Sequence, residues 1–350
     1  MKPAPSPETR PPKSVGRTAL NKVLSGLGPS HRWITRESGG FVWWLSGHAT
    51  RVRVEPPAIR AGQEVTRLHA STAFLRGVGV GDRFDTAIAR LNRSAVLAAI
   101  VRDAADPSLL VLRSSLFVYP GRERVGGLFL RQIVGLQALQ ALWTSHVAAS
   151  QVGGEPDTRP HPKSGHRPTP EPCLGSLEAV LASWGARPSV YDGEELSRLA
   201  SFCERPPCLS SSFGDGQLTA EFPFLGESSV LEMTTEEPHA AFGNGLRARL
   251  TLPVGATPAE RAAVAGRLNR TELEGCNWTN FAGAWSDGGD GVTYTTFLPN
   301  FVNRQELLLD VGFGLAYRAR WVAEKVFHDD WNRVPARSSV ERLAAQEIPS

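Results

Sequence analysis

A four-residue stretch occurs twice in this chain, as Arg90-Leu91-Asn92-Arg93 and as Arg267-Leu268-Asn269-Arg270. Three strand-like stretches precede each copy, and a hairpin followed by a long apolar helix comes after it. The spacing between these elements is similar in the two halves. The pattern predicts an α+β protein of two tandem modules, each made of a helix, three antiparallel strands, a helix, two strands and a final helix.

The first half shows apolar residues at helical or strand spacing in seven consecutive segments. They predict a helix, three strands, a helix, a hairpin and a final helix, over 16–27, 41–45, 50–54, 65–75, 82–91, 96–118 and 126–146. We expect Asp82 to cap the middle helix. We expect Asn92 to close it, because Asn tolerates the left-handed conformation at a helix end.

The second half repeats this order. A helical segment over 177–184 takes the place of 20–27, and strands are predicted over 218–225, 229–235, 246–252 and 292–298. The stretch from Thr257 to Glu260 has the pattern of a capping box, which predicts the start of the middle helix. In the last helix, three apolar positions repeat those of the first half: Leu308, Leu315 and Val322 for Phe129, Leu136 and Trp143.

The composition divides the chain into five parts. These are a disordered tail over 1–14, a first module over 15–150, a Pro/Gly-rich linker over 151–172, a second module over 173–331 and a polar C-terminal tail over 332–350. A five-stranded sheet with helices on one side leaves a face or an edge uncovered. We therefore expect the two modules to cover each other as an intrachain pseudo-dimer.

Composition and charge narrow the class of protein. The chain has 350 residues and a formal net charge of only +3, which argues neither for nor against an acidic partner. No apolar run reaches the length of a membrane span, and the N-terminus lacks the apolar core of a signal peptide. These features predict a cytoplasmic protein without a membrane partner. The four cysteines do not have the spacing of a disulfide scaffold, which predicts reduced thiols at 173, 203, 208 and 276.

Several segments resemble phosphate-binding or metal-binding motifs, but their residues do not fit those motifs. The glycines of 77–81 lack the Lys-Ser/Thr of a phosphate loop. The consecutive residues His328-Asp329-Asp330 cannot all converge on one metal ion, and Asp287 and Asp290 fit a turn better than a calcium loop. Neither half carries a Ser/His/Asp or Cys/His set. We therefore expect a protein that is not an enzyme and has no catalytic residue, cofactor or metal site.

Large aromatic residues occupy equivalent strands of the two halves. They are Phe41, Trp43 and Trp44 in the first half and Phe222 and Phe224 in the second. Such residues can fill a core, or they can form a groove for a partner segment. Neighbouring residues of a strand point to opposite faces, so Trp43 or Trp44 needs cover from outside its own helix layer. That cover could be the other module or a partner protein.

The order of elements, with an Asn closing the middle helix before a hairpin and a terminal amphipathic helix, resembles the type III secretion chaperone-like fold. It is most similar to the branch with the YbjN-type proteins and the tandem (TY-Chap-type) chaperone-like proteins of actinobacteria. The resemblance covers residues 16–146 and 174–330. It implies a non-enzymatic protein whose modules pair and hold an extended segment of another protein.

The resulting hypothesis is a chaperone-like or regulatory adaptor that binds an unidentified protein client. The alternative is a nucleic-acid-associated regulator. It would use four arginines on strand faces beside the aromatic residues, namely Arg51, Arg53, Arg247 and Arg249. The near-neutral net charge stands against the alternative.

Overall fold

The computed structural model describes residues 14–60, 62–191, 193–205, 207–274, 279–304 and 307–327. Within these ranges the chain has a mixed α+β structure, with seven α-helices and two antiparallel sheets. The predicted tails over 1–14 and 332–350 lie outside the described residues, apart from Ser14, whose side chain caps the first helix. The segment 328–330 also lies outside them.

The first sheet belongs to the N-terminal half. The elements in chain order are α1 (Val15–Leu27), β1 (Ile34–Glu37), β2 (Gly40–Trp44), β3 (Ala49–Val54), β4 (Ala58–Arg60), β5 (Gln63–Arg76), α2 (Asp82–Leu91), β6 (Ala99–Arg102), β7 (Leu110–Val118), α3 (Glu123–Val152) and β8 (Glu155–Pro156). The strand order is β1-β2-β3-β5-β7-β6, and β4 and β8 each pair with β5.

The second sheet belongs to the C-terminal half. Its elements are α4 (Pro172–Gly185), α5 (Gly193–Cys203), β9 (Ser210–Gly214), β10 (Gln217–Phe224), β11 (Glu227–Thr234), β12 (Gly245–Leu252), α6 (Pro258–Leu273), β13 (Ala284–Asp287), β14 (Val292–Pro299) and α7 (Leu307–Trp321), which ends in a π-helical turn over Val322–Phe327. The strand order is β13-β14-β12-β11-β10-β9. In both sheets the hairpin that follows the middle helix therefore lies at one end.

Each sheet has one edge strand that the sequence does not predict, β1 in the first and β9 in the second. Both are short and mostly exposed or half-buried, so they lack the apolar alternation that marks the other strands.

The second half has two helices, α4 and α5, before its first strand. Helix α5 packs on α7, β9 and β10 and buries four residues, whereas α4 buries two and contacts α3 of the first half as well as β14 and the turn Asn300–Val302 of the second. The predicted helix over 177–184 lies within α4, and its equivalence to 20–27 stays a prediction. Both α4 and α5 contact the second sheet.

The predicted helix starts have different outcomes. The capping box at α6 is confirmed, because the Thr257 hydroxyl accepts from Glu260 N and the Glu260 carboxylate accepts from Thr257 N. At α2 the cap position belongs to Gly81, and Asp82 is the first residue of the helix. Asp82 therefore adds an acidic group to the first turn, where it favours the helix dipole, and does not cap.

Helix α2 ends at Asn92 as predicted, but neither motif asparagine adopts the left-handed conformation. Asn92 has a right-handed φ of −68°, and Asn269 lies inside α6. Instead, the Asn92 amide donates to Ile100 O at 2.9 Å and accepts from Ile100 N at 2.8 Å. Asn269 makes the same two bonds to Trp285, at 2.9 and 2.8 Å. We call this pair of bonds the Asn latch; it ties the middle helix to the first strand of the hairpin in each half.

Helix α3 is the one described helix that is long and apolar enough to cross a membrane. Within the protein, 67% of its most apolar window is buried. It packs against α1, β5 and β7, which is typical of the central helix of a core.

Candidate binding cleft between the two sheets

The five aromatic residues predicted to bind a partner all lie inside the protein. Their exposed fractions are 0% for Phe41, 0% for Trp43, 7% for Trp44, 8% for Phe222 and 1% for Phe224. In this structure they therefore fill the core and do not line a surface groove.

The cover over Trp44 comes from the Pro/Gly-rich segment that follows α3. Trp44 Nε1 donates to Arg159 O at 3.0 Å, and the ring of His161 stands edge-on to the indole at 4.7 Å. Farther along, Arg167 donates to Trp44 O at 2.8 Å, and Glu171 N donates to Leu45 O at 2.7 Å. Neither of the two expected covers, the other module or a partner, is needed. The composition does not predict this role, because the cover over Trp44 consists of backbone carbonyls and one imidazole and not of apolar side chains.

The four predicted arginines pair with glutamates of their own half. Arg51 and Arg53 lie 3.2 and 3.5 Å from Glu37, and Arg247 and Arg249 lie 3.1 and 2.6 Å from Glu237. Each glutamate thus neutralises part of the charge of two arginines. This arrangement weakens the case for a phosphate-binding surface at either site, because phosphate affinity depends on uncompensated cationic charge.

A cleft of about 400 Å³ lies between α3 and β7 of the first half and α7 and β14 of the second. Its volume is in the range of sites that hold a small molecule or a side chain of a partner. Apolar residues from both halves form its walls, among them Leu97, Leu116, Phe129, Leu298, Leu307 and Leu315. Polar residues stand with them, including Tyr119, Arg122, Thr279, Arg304 and Asp310.

A buried ion pair forms the floor of this cleft. Arg318 Nε donates to both carboxylate oxygens of Glu272, each at 2.8 Å, and the two residues are 2% and 1% exposed. Trp285 Nε1 donates to the same carboxylate at 2.5 Å. The Arg318 guanidinium also lies 4.0 Å from the centroid of the Tyr294 ring. Every member of this group is thus fixed by at least one other.

Two groups at the floor, Arg318 and Tyr294, each keep one protonation state near neutral pH. Burial by itself lowers the pKa of Arg318, but the charge of Glu272 and its hydrogen bonds hold that pKa above the usual value. Burial raises the pKa of the Tyr294 phenol, so it stays protonated. Near pH 7, Arg318 therefore supplies a fixed positive charge and Tyr294 supplies a neutral phenol.

Contacts between the two halves hold the cleft walls in place. Arg67 of β5 donates to Glu272 O at 2.8 Å and to Leu273 O at 2.7 Å. Ser115 of β7 and Phe281 exchange two backbone hydrogen bonds, at 2.9 and 2.8 Å. One isolated β-bridge therefore joins the segment before β13 to β7 and links the two halves beside the cleft.

Two polar atoms of the cleft are buried without a hydrogen-bond partner among the described residues. They are the Thr279 hydroxyl and Arg304 Nε, although another nitrogen of Arg304 pairs with Asp310. An unpaired buried polar atom costs free energy, so each has reason to bond to a ligand. Arg122 likewise has no ion pair within the described part of the chain.

Two of the three described thiols, those of Cys173 and Cys203, lack the features of nucleophiles. Burial raises the pKa of Cys173 and of Cys203 to about 11, so little thiolate forms at neutral pH. Cys276 lies outside the described residues. Within the described ranges, no group of three or more His, Cys, Asp or Glu side chains is placed to hold a metal ion.

Glu272 and Arg318 are not among the predicted site residues, although the sequence carries a signal for each. Arg318 falls three residues after Leu315, on the apolar stripe of the last helix, and Glu272 falls four residues after Leu268 on the stripe of α6. A charged residue at a position that the pattern assigns to the core predicts a buried partner of opposite charge.

Comparison of the chain with protein-family models, with curated protein sequences and with solved structures found no match. The function is therefore proposed from the residues of the chain itself.

Proposed function

We propose that the chain is a non-enzymatic protein-binding adaptor of the chaperone-like kind, acting in the cytoplasm, and that it holds its client in the cleft between the two halves. The observation that carries the proposal is the cleft itself. It combines apolar walls, a fixed buried ion pair and unpaired polar atoms, and none of these groups is arranged as a nucleophile with its base.

The proposal includes the arrangement of the halves as tandem copies of one module, packed as an intrachain pseudo-dimer. Both sheets have the same strand order, and both carry the Asn latch. Equivalent elements also meet each other: α2 packs on α6, and β6 contacts β13. Self-matching contacts of this kind are what a two-fold arrangement requires. The resemblance to the secretion chaperone-like fold is part of the same proposal.

The Asn latch identifies matching positions on β7 and β14, the two strands that form walls of the cleft. It joins Asn92 to Ile100, which pairs with Leu112, and Asn269 to Trp285, which pairs with Tyr294. Four residues farther along each strand stand Leu116 and Leu298, and both line the cleft. The cleft thus has equivalent residues on its two sides, which supports a position on the pseudo-two-fold axis. Paired chaperone-like modules would present such a shared site to a client.

The test is capture of a client from an extract of the cells that make the protein. The full chain is compared with Gly314→Leu, which fills the cleft. Gly314 lines the cleft, and a Cβ built on it meets no atom within 4 Å. The matched control is Gly175→Leu, because Gly175 is also helical with open space around it, and it is exposed on α4, away from the cleft. Both changes replace glycine in a helix, so both should keep or raise stability.

We expect the native chain and Gly175→Leu to capture the same client and Gly314→Leu to lose it. A client that all three chains capture equally would show that binding occurs on another surface. Capture of nucleic acid that decreases with salt, in place of a protein, would favour the alternative regulator.

A further inference from the structure

We propose that the segment held in the cleft is an acidic peptide, with a large apolar side chain in the cleft and a neighbouring carboxylate against Arg122 at its mouth. This inference rests on the protein-binding function proposed above and specifies the chemistry of the client.

The walls select the apolar part of the segment. Leu116 and Phe129 stand on one side, and Leu307 and Leu315 stand on the other. Leu116, Leu307 and Leu315 are each 1% exposed and form the back of the cleft. The half-buried side chains of Phe117, Val125 and Val311 leave apolar surface in the cleft that a ligand can cover. An apolar side chain that enters such a space gains burial, whereas a polar one would lose hydrogen bonds to water.

The charges at the mouth of the cleft favour an acidic residue in the bound segment. Arg318 is neutralised by Glu272 and Arg304 shares Asp310, so Arg122 is the cleft arginine without an ion pair in the described part of the chain. Arg122 therefore adds one positive charge to the mouth of the cleft, and this charge complements a carboxylate.

The remaining polar groups favour a peptide over a free acyl carboxylate. Thr279 and Arg304 offer unpaired buried atoms, one a hydroxyl and the other an N–H. Asp310 adds a half-exposed carboxylate that can accept from a backbone N–H. A peptide bond presents both a donor and an acceptor, whereas an acyl chain presents one charged head group and nothing else.

The test is selection of a phage-displayed library of random 12-residue peptides on the immobilised full chain at low salt. We expect enrichment of sequences with Leu, Phe or Trp next to Asp or Glu. Synthetic copies of the enriched peptides are then measured by fluorescence anisotropy. Their affinity should fall with added salt, since the carboxylate contacts are solvent-exposed.

Two pairs of variants locate the site. Arg122→Glu reverses the unpaired charge, and we expect it to weaken the selected peptides about tenfold. Its matched control is Arg83→Glu, an exposed arginine in the first turn of α2 that is absent from the cleft lining. Gly314→Leu should abolish binding, and Gly175→Leu should leave it unchanged.

Other outcomes overturn the inference. These are enrichment of basic or uncharged peptides, no enrichment at all, or saturable binding of decanoate in the cleft with no peptide selected. If basic peptides are enriched and lost in Gly314→Leu, the protein-binding function stands while the acidic chemistry is wrong. If a cellular client is captured independently of Gly314→Leu, the cleft is wrong for both proposals.

Discussion

The two halves share their strand order and their Asn latch, but they differ in the layer that faces the cleft. Aligned by the motif, Glu272 stands where the first half has Ala95. Aligned by the last helices, Arg318 stands where the first half has Leu139. All four residues are buried, with Leu139 at 0% and Ala95 at 2% exposed. One half therefore keeps an apolar interior at positions where the other holds a charged pair.

This difference shows which parts of the fold require particular residues. A buried ion pair is rarely a source of stability, because desolvation of the two charges offsets their attraction. The aligned residues of the first half are apolar, although Ala95 lies in extended backbone after its helix and Glu272 lies inside α6. We therefore expect the fold to tolerate an apolar replacement of the pair.

Exchange of the charged pair for its apolar equivalents tests this comparison most severely. Arg318→Leu alone leaves Glu272 charged and buried, and we expect the free energy of unfolding to fall by about 3–5 kcal/mol. The double variant Glu272→Ala with Arg318→Leu restores the residues of the first half and should recover most of that loss. Urea unfolding of the three chains measures both values. A double variant no more stable than the single one would mean that the second half depends on the pair for its fold.

The Asn latch provides the next test, because it is the feature that the halves share. Asn92→Ala and Asn269→Ala each leave a buried backbone N–H and C=O without a partner, and each should cost about 1–3 kcal/mol. Similar losses of stability in urea unfolding would support the equivalence of the two halves. The control is Arg90→Ala in the same motif, which is exposed and should change stability by less than about 0.5 kcal/mol. A large loss at one asparagine and none at the other would break the equivalence.

The smallest expected effect is a loss of stability at acid pH. It can be assigned either to the core of the first half or to the contact between the halves, because each contains a buried histidine. Burial lowers the pKa of His48 in the first half and of His239 in the second. His239 accepts from Ala241 N through Nδ1 at 3.1 Å, and its Nε2 lies 3.3 Å from Ser94 O, so the neutral form with the proton on Nε2 fits the site.

A histidine with a lowered pKa stays neutral in the folded protein while the unfolded chain binds a proton. Stability is therefore full above pH 6.5 and is lost as the pH falls below that value toward the folded pKa. Chemical denaturation between pH 7.5 and pH 5, a range we choose on both sides of the ordinary histidine pKa, should show this decline. His239→Gln should flatten it, and the exposed control His31→Gln should not. An unchanged slope in His239→Gln would assign the acid sensitivity to the first half.

Much of the backbone could be predicted from periodicity. The strands β2, β3, β5, β10, β11, β12 and β14 and the helices α1, α2, α3, α6 and α7 follow apolar patterns at spacings of 2 or 3.6 residues. The capping box at Thr257 marked a helix start because its two side chains satisfy donors within the same turn. The sequence also indicated the mixed α+β class and the repeated order of elements.

Only the tertiary structure decided the features that depend on residues far apart in the chain. Trp44 is covered by 157–171, which composition describes as a linker, because its cover consists largely of backbone groups that any sequence carries. Glu272 pairs with Arg318, which is 46 residues away in the sequence, and Arg67 donates to Leu273 O, which is 206 residues away. Local patterns report which face of an element is apolar, but not which other element covers it. The sequence by itself therefore determined the elements and their order, and the packing of the two halves decided where a cleft and its charged floor would form.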